Sequence, residues 1–237
     1  MPDVQLFCFP DAGGTASFFD PLEKELDGID LVKIEYSGHG TRHKEPLFYS
    51  FDELAADIYD RLKKQYKGGA YALFGYSMGS ITLVEILKRI LNDPEMELPC
   101  RVFLAAHEPH SKTELSGFSP DILSDEWVKG RTIAFGAVPE QLVNNKSFWR
   151  LYLPLYRADY CMIGNYKFEK LELNTTIPAT IFYSETDTPR KEMELWRNYF
   201  TGEYELHCYE GKHFFIQHHH KEMSDIIRTR INCEECS

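Results

Sequence analysis

Short apolar runs alternate along the chain with longer amphipathic stretches, the pattern of a parallel sheet buried on both faces and covered by helices. The runs Val4 to Phe9, Leu31 to Tyr36, Tyr71 to Tyr76, Arg101 to Ala106, Ala179 to Ser184 and Tyr204 to Tyr209 are rich in β-branched, aromatic and Leu residues and predict strands. Helices are predicted over Phe51 to Tyr66, where Leu54, Ile58 and Leu62 share a face, and over Met78 to Leu91, Glu192 to Phe200 and Gln217 to Ile231. Each strand is followed by a helix or a turn, so the fold class is α/β.

The rhythm breaks between His107 and Lys170. Pro, Ser, Gly and aromatic residues mix there with short helical patterns at Asp121 to Gly130, Pro139 to Asn144 and Phe148 to Tyr156, and no strand is predicted. Residues 107–170 read as a lid inserted into a core formed by 1–106 and 171–237, beside the carboxyl ends of the strands, where such sheets bind ligands. The alternative is a structural insert without substrate contact. Trp127, Phe135, Phe148 and Trp149 would either line an apolar chamber or pack the insert against itself.

Composition narrows the partners. The 237 residues are 43% hydrophobic and 14% aromatic, enough to bury a full core, which excludes disorder as the main character of the chain. Lys and Arg total 26 against 37 Asp and Glu, a formal charge of −11 with no basic block, so nucleic acid and anionic membrane surfaces are poor partners. No run approaches the roughly 18 apolar residues of a membrane span. Met1 to Gln5 holds no basic segment ahead of a long apolar run, and a cytoplasmic location is expected. Several of the six cysteines lie in apolar runs such as Phe7-Cys8-Phe9 and read as reduced thiols. Cys233 and Cys236 form a C-x-x-C in an acidic tail, short of the four ligands of a structural zinc site.

The chemistry concentrates at Gly75-Tyr76-Ser77-Met78-Gly79, a G-x-S-x-G between a predicted strand and a predicted helix. In that context the glycines allow a sharp turn that lifts the Ser77 hydroxyl clear of the backbone, and the Met78 amide at the helix start can donate to an oxyanion. A serine hydroxyl is a weak nucleophile and needs a base with a third group to orient it, in the chain order Ser, acid, His for this fold. His213 follows the strand Tyr204 to Tyr209 and suits the base, with His107 and His110 as rivals and His207 as a packing residue. His218-His219-His220 reads as a partly solvated face, with metal binding as the alternative. Asp187, in the loop after Ala179 to Ser184, suits the acid; Glu185 on the same loop is the alternative, and Asp187 would otherwise cap a helix ahead of Pro189. The loop Phe9-Pro10-Asp11-Ala12-Gly13-Gly14-Thr15 can supply a second oxyanion donor, the Ala12 amide. It lacks the Gly-Lys-Ser/Thr and G-x-G-x-x-G signatures of phosphate loops.

With these residues placed, the chain resembles the type II thioesterases of nonribosomal peptide and polyketide synthesis, within the α/β-hydrolase fold. Phe7-Cys8-Phe9-Pro10-Asp11-Ala12-Gly13-Gly14 is similar to the family's opening strand and oxyanion loop, Tyr36 to Arg42 to its P-G-R-G-x-R segment, and Gly75 to Gly79 to its elbow. Leu153 to Tyr160 resembles its L-P-x-L-R-A-D stretch, and Glu210 to Phe215 its G-G-H-F-F ending. The chain departs from the family at Asp11 and Tyr76, where the family usually has His, and at Ser37 and His39, where it usually has Pro and Arg. An ionised Asp11 would oppose charge developing in the oxyanion hole.

The resemblance implies a mostly parallel sheet with a helical lid, and hydrolysis of acyl thioesters from the phosphopantetheine arms of acyl or peptidyl carrier proteins. It implies an editing role, a monomer, and no cofactor beyond the arm carried by the substrate. A general serine esterase or acyltransferase is the alternative on the same fold, and an inactive binding module the alternative of another class. Carrier proteins recognised by such enzymes resemble acidic helical bundles, so two net-negative partners would repel at long range. Docking would then rest on apolar contacts and a local basic patch, for which Lys129, Arg131 and Arg150 are candidates against an ordinary solvated surface.

Overall fold

The structure is a computed structural model that describes residues 4–110 and 117–231; Cys233 and Cys236 lie outside the described residues. Six strands, β1 (Val4–Phe9), β2 (Ile29–Lys33), β3 (Tyr71–Tyr76), β4 (Arg101–Ala105), β5 (Ala179–Tyr183) and β6 (Tyr204–Cys208), form one sheet in the order β2-β1-β3-β4-β5-β6. Every pairing in it is parallel. The helices are α1 (Asp20–Glu23), α2 (Phe51–Gln65), α3 (Met78–Leu91), α4 (Asp125–Phe135), α5 (Lys146–Asn165), α6 (Arg190–Met193) and α7 (His220–Ile231). The arrangement is that of an α/β-hydrolase.

Alternation along the central strands divides the core between the two faces of the sheet. Phe7, Phe9, Tyr71, Leu73, Val102 and Leu104 pack on the face covered by α2 and α3. Leu6, Cys8, Ala72, Phe74, Phe103 and Ala105 pack on the other, with Leu22 of α1 and Met223 and Ile227 of α7. Both faces are dry, so these strands read as continuous apolar runs. Strand β2 starts two residues before the predicted Leu31, because Val4 pairs with Ile29, and it ends before Tyr36. Tyr36 turns inward instead and donates its hydroxyl to the Pro10 carbonyl at 2.9 Å.

Between β4 and β5 the chain carries α4 and α5 around a third cluster that includes Val128, Trp149, Leu153, Tyr156 and Tyr160. Caps set the boundaries of these helices. Ser124 accepts from the Trp127 amide, and Gly136 closes α4 in the left-handed conformation, so α4 runs later than the predicted Asp121 to Gly130. Asn145 accepts from the Ser147 and Phe148 amides, and α5 continues through Pro154 to Asn165, well past the predicted Tyr156. The predicted helix over Glu192 to Phe200 is a short α6 followed by a 3-10 turn over Glu194–Asn198, and the segment predicted from Gln217 opens with a 3-10 turn over Phe215–His218 before α7.

Candidate active site

Strand order reverses at β1: the chain moves outward to β2, then returns to place β3 on the other side of β1. The crevice beyond the carboxyl ends of β1 and β3 is where open α/β sheets bind ligands. Ser77 stands there, between β3 and α3, with φ +53° and ψ −118°, a conformation sparsely populated by residues with a Cβ. The flanking glycines permit this turn: a Cβ on Gly75 would fall on the Gly79 carbonyl, and one on Gly79 on the Phe9 carbonyl of β1. The Ser77 amide donates to the Ala105 carbonyl at 2.8 Å, which ties the turn to β4.

Ser77 Oγ lies 2.8 Å from His213 Nε2, and His213 Nδ1 lies 3.0 Å from each carboxylate oxygen of Asp187. The Nδ1–H thus donates to Asp187, leaving Nε2 to accept from the serine hydroxyl. Three loops converge to make this chain of contacts, after β3, β5 and β6. The Ser184 and Thr186 hydroxyls both reach the Gly211 carbonyl and bind the acid's loop to the base's loop.

The rivals make other contacts, except His110, which is exposed and does not line the cavity. Glu185 accepts from the Arg190 amide at the start of α6, so it, not Asp187, serves that helix end. His107 lines the same cavity, but its Nδ1–H donates to the Glu108 carbonyl at 2.7 Å. His207 lies on β6, paired with Glu205 and packed against Phe182. His219 reaches the Glu210 carbonyl, and no group of three or more His, Cys, Asp or Glu among the described residues could hold a metal ion.

Residues 11–14 form a tight turn closed by the Gly14 amide on the Asp11 carbonyl at 3.1 Å. Its third position, Gly13, has φ +68°, which a type II turn assigns to glycine, and Ala12 occupies the second position at the edge of the cavity. Met78 opens α3 directly after Ser77, so its amide belongs to the helix end that lacks intrahelical acceptors. Of the two predicted donors, Ala12 thus lines the cavity and Met78 follows Ser77 directly in the chain.

The cavity over Ser77 has a volume of about 180 Å³ and is walled by Asp11, Arg131, Phe135, Tyr160 and Ile163 besides the Ser77, His213 and Asp187 group. Phe135 of α4 packs on the His213 ring with centroids 4.8 Å apart. Among the aromatic residues singled out in the segment between β4 and β5, Phe135 lines this cavity, whereas Trp127 and Trp149 pack against their own neighbours Tyr160 and Phe148. Arg131 lies over the rings of Trp127, Phe135 and Tyr160, lines this cavity, and stays partly exposed along an open groove with Glu126, Trp127 and Ala134. Lys129 sits over Trp149, and Arg150 is exposed.

Asp11 resists ionisation in this setting. Burial pushes its carboxyl up to about 7, outweighing its own backbone amide and the His213 charge, so below neutrality it is largely an uncharged acid. Tyr76 was not singled out for a role, yet its hydroxyl donates to the His213 carbonyl at 2.6 Å and its ring stacks on Phe214. Its place beside Ser77 in the elbow was the available signal; its contact 137 residues away was not.

The family model for the thioesterase domain matches residues 4–232. The chain is 28% identical over 221 residues to the medium-chain S-acyl fatty acid synthase thioesterase of Rattus norvegicus, covering 91% of this chain and 83% of the relative. Among solved structures, ClbQ from the colibactin NRPS/PKS pathway superposes with a TM-score of 0.86 at 26% identity, covering 97% of each chain. The type II thioesterase BorB from the borrelidin biosynthetic cluster superposes with a TM-score of 0.83 at 25% identity, covering 98% of this chain and 94% of the other.

Proposed function

The chain belongs to the thioesterase domain family, and from that premise we propose that it is a serine hydrolase clearing acyl thioesters from the phosphopantetheine arms of acyl or peptidyl carrier proteins, in an editing role in nonribosomal peptide or polyketide synthesis. The observation that carries this reading is the continuous contact from Ser77 through His213 to Asp187 at the switch point of the sheet, in a chain of this family. The likeness to ClbQ and BorB supports the synthase setting.

In this mechanism His213 Nε2 takes the proton of Ser77 as its Oγ attacks the thioester carbonyl, while Asp187 holds the Nδ1–H and balances the imidazolium that forms. The oxyanion of the tetrahedral intermediate accepts from the Ala12 and Met78 amides. As it collapses the carbon–sulfur bond breaks, and the phosphopantetheine thiol leaves with the proton from His213. A thiol of ordinary pKa near 8.5 needs less acid assistance than an alcohol or an amine. Water, deprotonated by His213, then attacks the acyl-serine, and the carboxylic acid departs with Ser77 restored. The reaction uses no cofactor beyond the arm on the substrate. Residues 107–170 serve as the lid, placing Phe135 and Arg131 over the acyl group.

The rat relative favours a second reading, in which the same chemistry releases a medium-chain acyl group from a fatty acid synthase. Rates for one short acyl group on a carrier protein, as a simple thioester and as an oxygen ester, test the assignment. The editing reading expects a marked preference for the carrier-bound thioester. Equal or faster cleavage of the oxygen ester would instead make the chain a general esterase. Ser77→Ala is expected to lower hydrolysis by about 1,000-fold or more, and retention of more than a few per cent of the rate would remove Ser77 from the role.

A further inference from the structure

A second buried charged cluster lies behind the Asp11–Gly14 turn. His39, in the loop after β2, and Asp159, on α5, are 2% and 1% exposed, with Nε2 and Oδ2 3.1 Å apart. The same Oδ2 accepts the Gly13 amide at 2.6 Å, and His39 Nδ1 lies 3.0 Å from the Ser37 carbonyl oxygen. A carbonyl and a carboxylate only accept, so both contacts of the ring are hydrogen bonds only when both nitrogens carry protons. A neutral imidazole would turn a bare nitrogen lone pair toward one of these oxygens.

We propose that Asp159, paired with an imidazolium at His39, is a positioning residue that clamps the Gly13 amide and thereby fixes the direction of the neighbouring Ala12 amide. The proposal rests on the reading of residues 11–14 as the oxyanion loop. The clamp comes from α5, so the loop takes its working shape only with that helix seated. Gly13 reinforces the coupling, because a Cβ there would fall on the Tyr156 ring, one turn before Asp159 on α5. The Tyr36 hydroxyl on the Pro10 carbonyl supports the other end of the loop.

Burial disfavours the charged form of His39, but the Asp159 charge, its hydrogen bond and the Ser37 carbonyl together hold the imidazolium above the ordinary histidine range. Glu35 adds to this, and the Tyr36 ring meets His39 edge-on. Asp11 of the β1 loop acts on the same cluster, Tyr156 and Tyr160 flank Asp159 on α5, and the Arg42 side chain is engaged by Glu45 and Asp57. As pH rises through the His39 transition the Nδ1 proton facing the Ser37 carbonyl is lost while Nε2 keeps its hydrogen on Asp159; the clamp loses the charge of the imidazolium and one of its anchors, and activity falls on an alkaline limb that belongs to His39.

The test follows kcat and KM for a small acyl thioester from pH 6 to 9.5, with Asp11→Asn as the background so that Asp11 does not titrate. Asp159→Ala is expected to lower kcat by about 30-fold with KM changed less than threefold, as loss of an aimed oxyanion donor would. His39→Arg, a permanent cation, is expected to keep the activity and move the alkaline limb up by a pH unit or more. A loss below threefold in Asp159→Ala, or an unmoved limb in a folded His39→Arg, would overturn the proposal. Nitrogen-15 NMR of the wild-type imidazoles decides independently of catalysis: both His39 nitrogens are expected protonated at pH 7, with the transition falling toward the ordinary range in Asp159→Asn. A neutral His39 tautomer at pH 7 would overturn it as well. Failure of the hydrolase reading would show separately, as activity surviving Ser77→Ala.

Discussion

Position 11 holds a carboxyl group in the cavity over Ser77, and its Oδ1 is buried without a hydrogen-bond partner among the described residues. The folded protein keeps this proton to about pH 7, whereas an unfolded Asp loses it near pH 4. Between those values the native state binds more protons than the unfolded one, so stability falls as pH rises from about 4 to about 7 and then levels off. Asp11→Asn has no proton to lose. Its stability relative to wild type is expected to improve by on the order of 2–3 kcal/mol between pH 5 and pH 8, read from urea unfolding at the two pH values; a constant difference would mean that Asp11 ionises normally. Tyr76 acts at the same scale through one hydroxyl. Tyr76→Phe leaves the His213 carbonyl without its donor, and kcat is expected to fall about 10-fold with KM nearly unchanged; unchanged kcat in steady-state assays would show that the His213 loop holds without it.

At the scale of elements, close approach explains why some residues admit no substitute. Helix α3 runs back over β1 so tightly that a Cβ on Gly79 would coincide with the Phe9 carbonyl. Gly79→Ala is expected to cost about 2–4 kcal/mol, measured as a lower urea midpoint, and a cost under 1 kcal/mol would show that the strand and helix can separate there. The same packing makes the elbow readable, because G-x-S-x-G records a steric demand in adjacent residues. Strands β1 and β3 were legible to the residue for a related reason: burial on both faces makes them nearly continuous apolar runs, with Gln5 the one side chain in them that carries an amide, bonded to Asp30 and the Gln65 carbonyl. The limits of α4 and α5 were not. Ser124 and Asn145 are two of many residues able to cap, and the pattern over Phe148 to Tyr156 holds no mark that α5 continues to Asn165.

For the molecule as a whole, a formal charge of −11 opposes any acidic partner at long range. Of the three cations offered for a basic patch, Arg131 lines the cavity, Lys129 sits over Trp149 and Arg150 is exposed. If an acidic carrier is the substrate, kcat/KM is expected to rise several-fold as salt increases from about 20 to about 200 mM, while the rate on a small thioester stays level; a fall with salt would reveal a complementary basic site. What the sequence by itself determined about this protein is what adjacent residues determine: the α/β alternation, the turn that exposes Ser77, and the order of a serine, an acid and a histidine on successive loops. The tertiary structure decided what depends on distant residues meeting. It brings Asp187, not Glu185, against His213, and His213, not His107, against Ser77. It also brought Asp159 to Gly13, 146 residues apart, and to His39, 120 apart. Spacing along a chain carries no record of such contacts, because the order of strands in the sheet, and the seating of α5 beside it, set them.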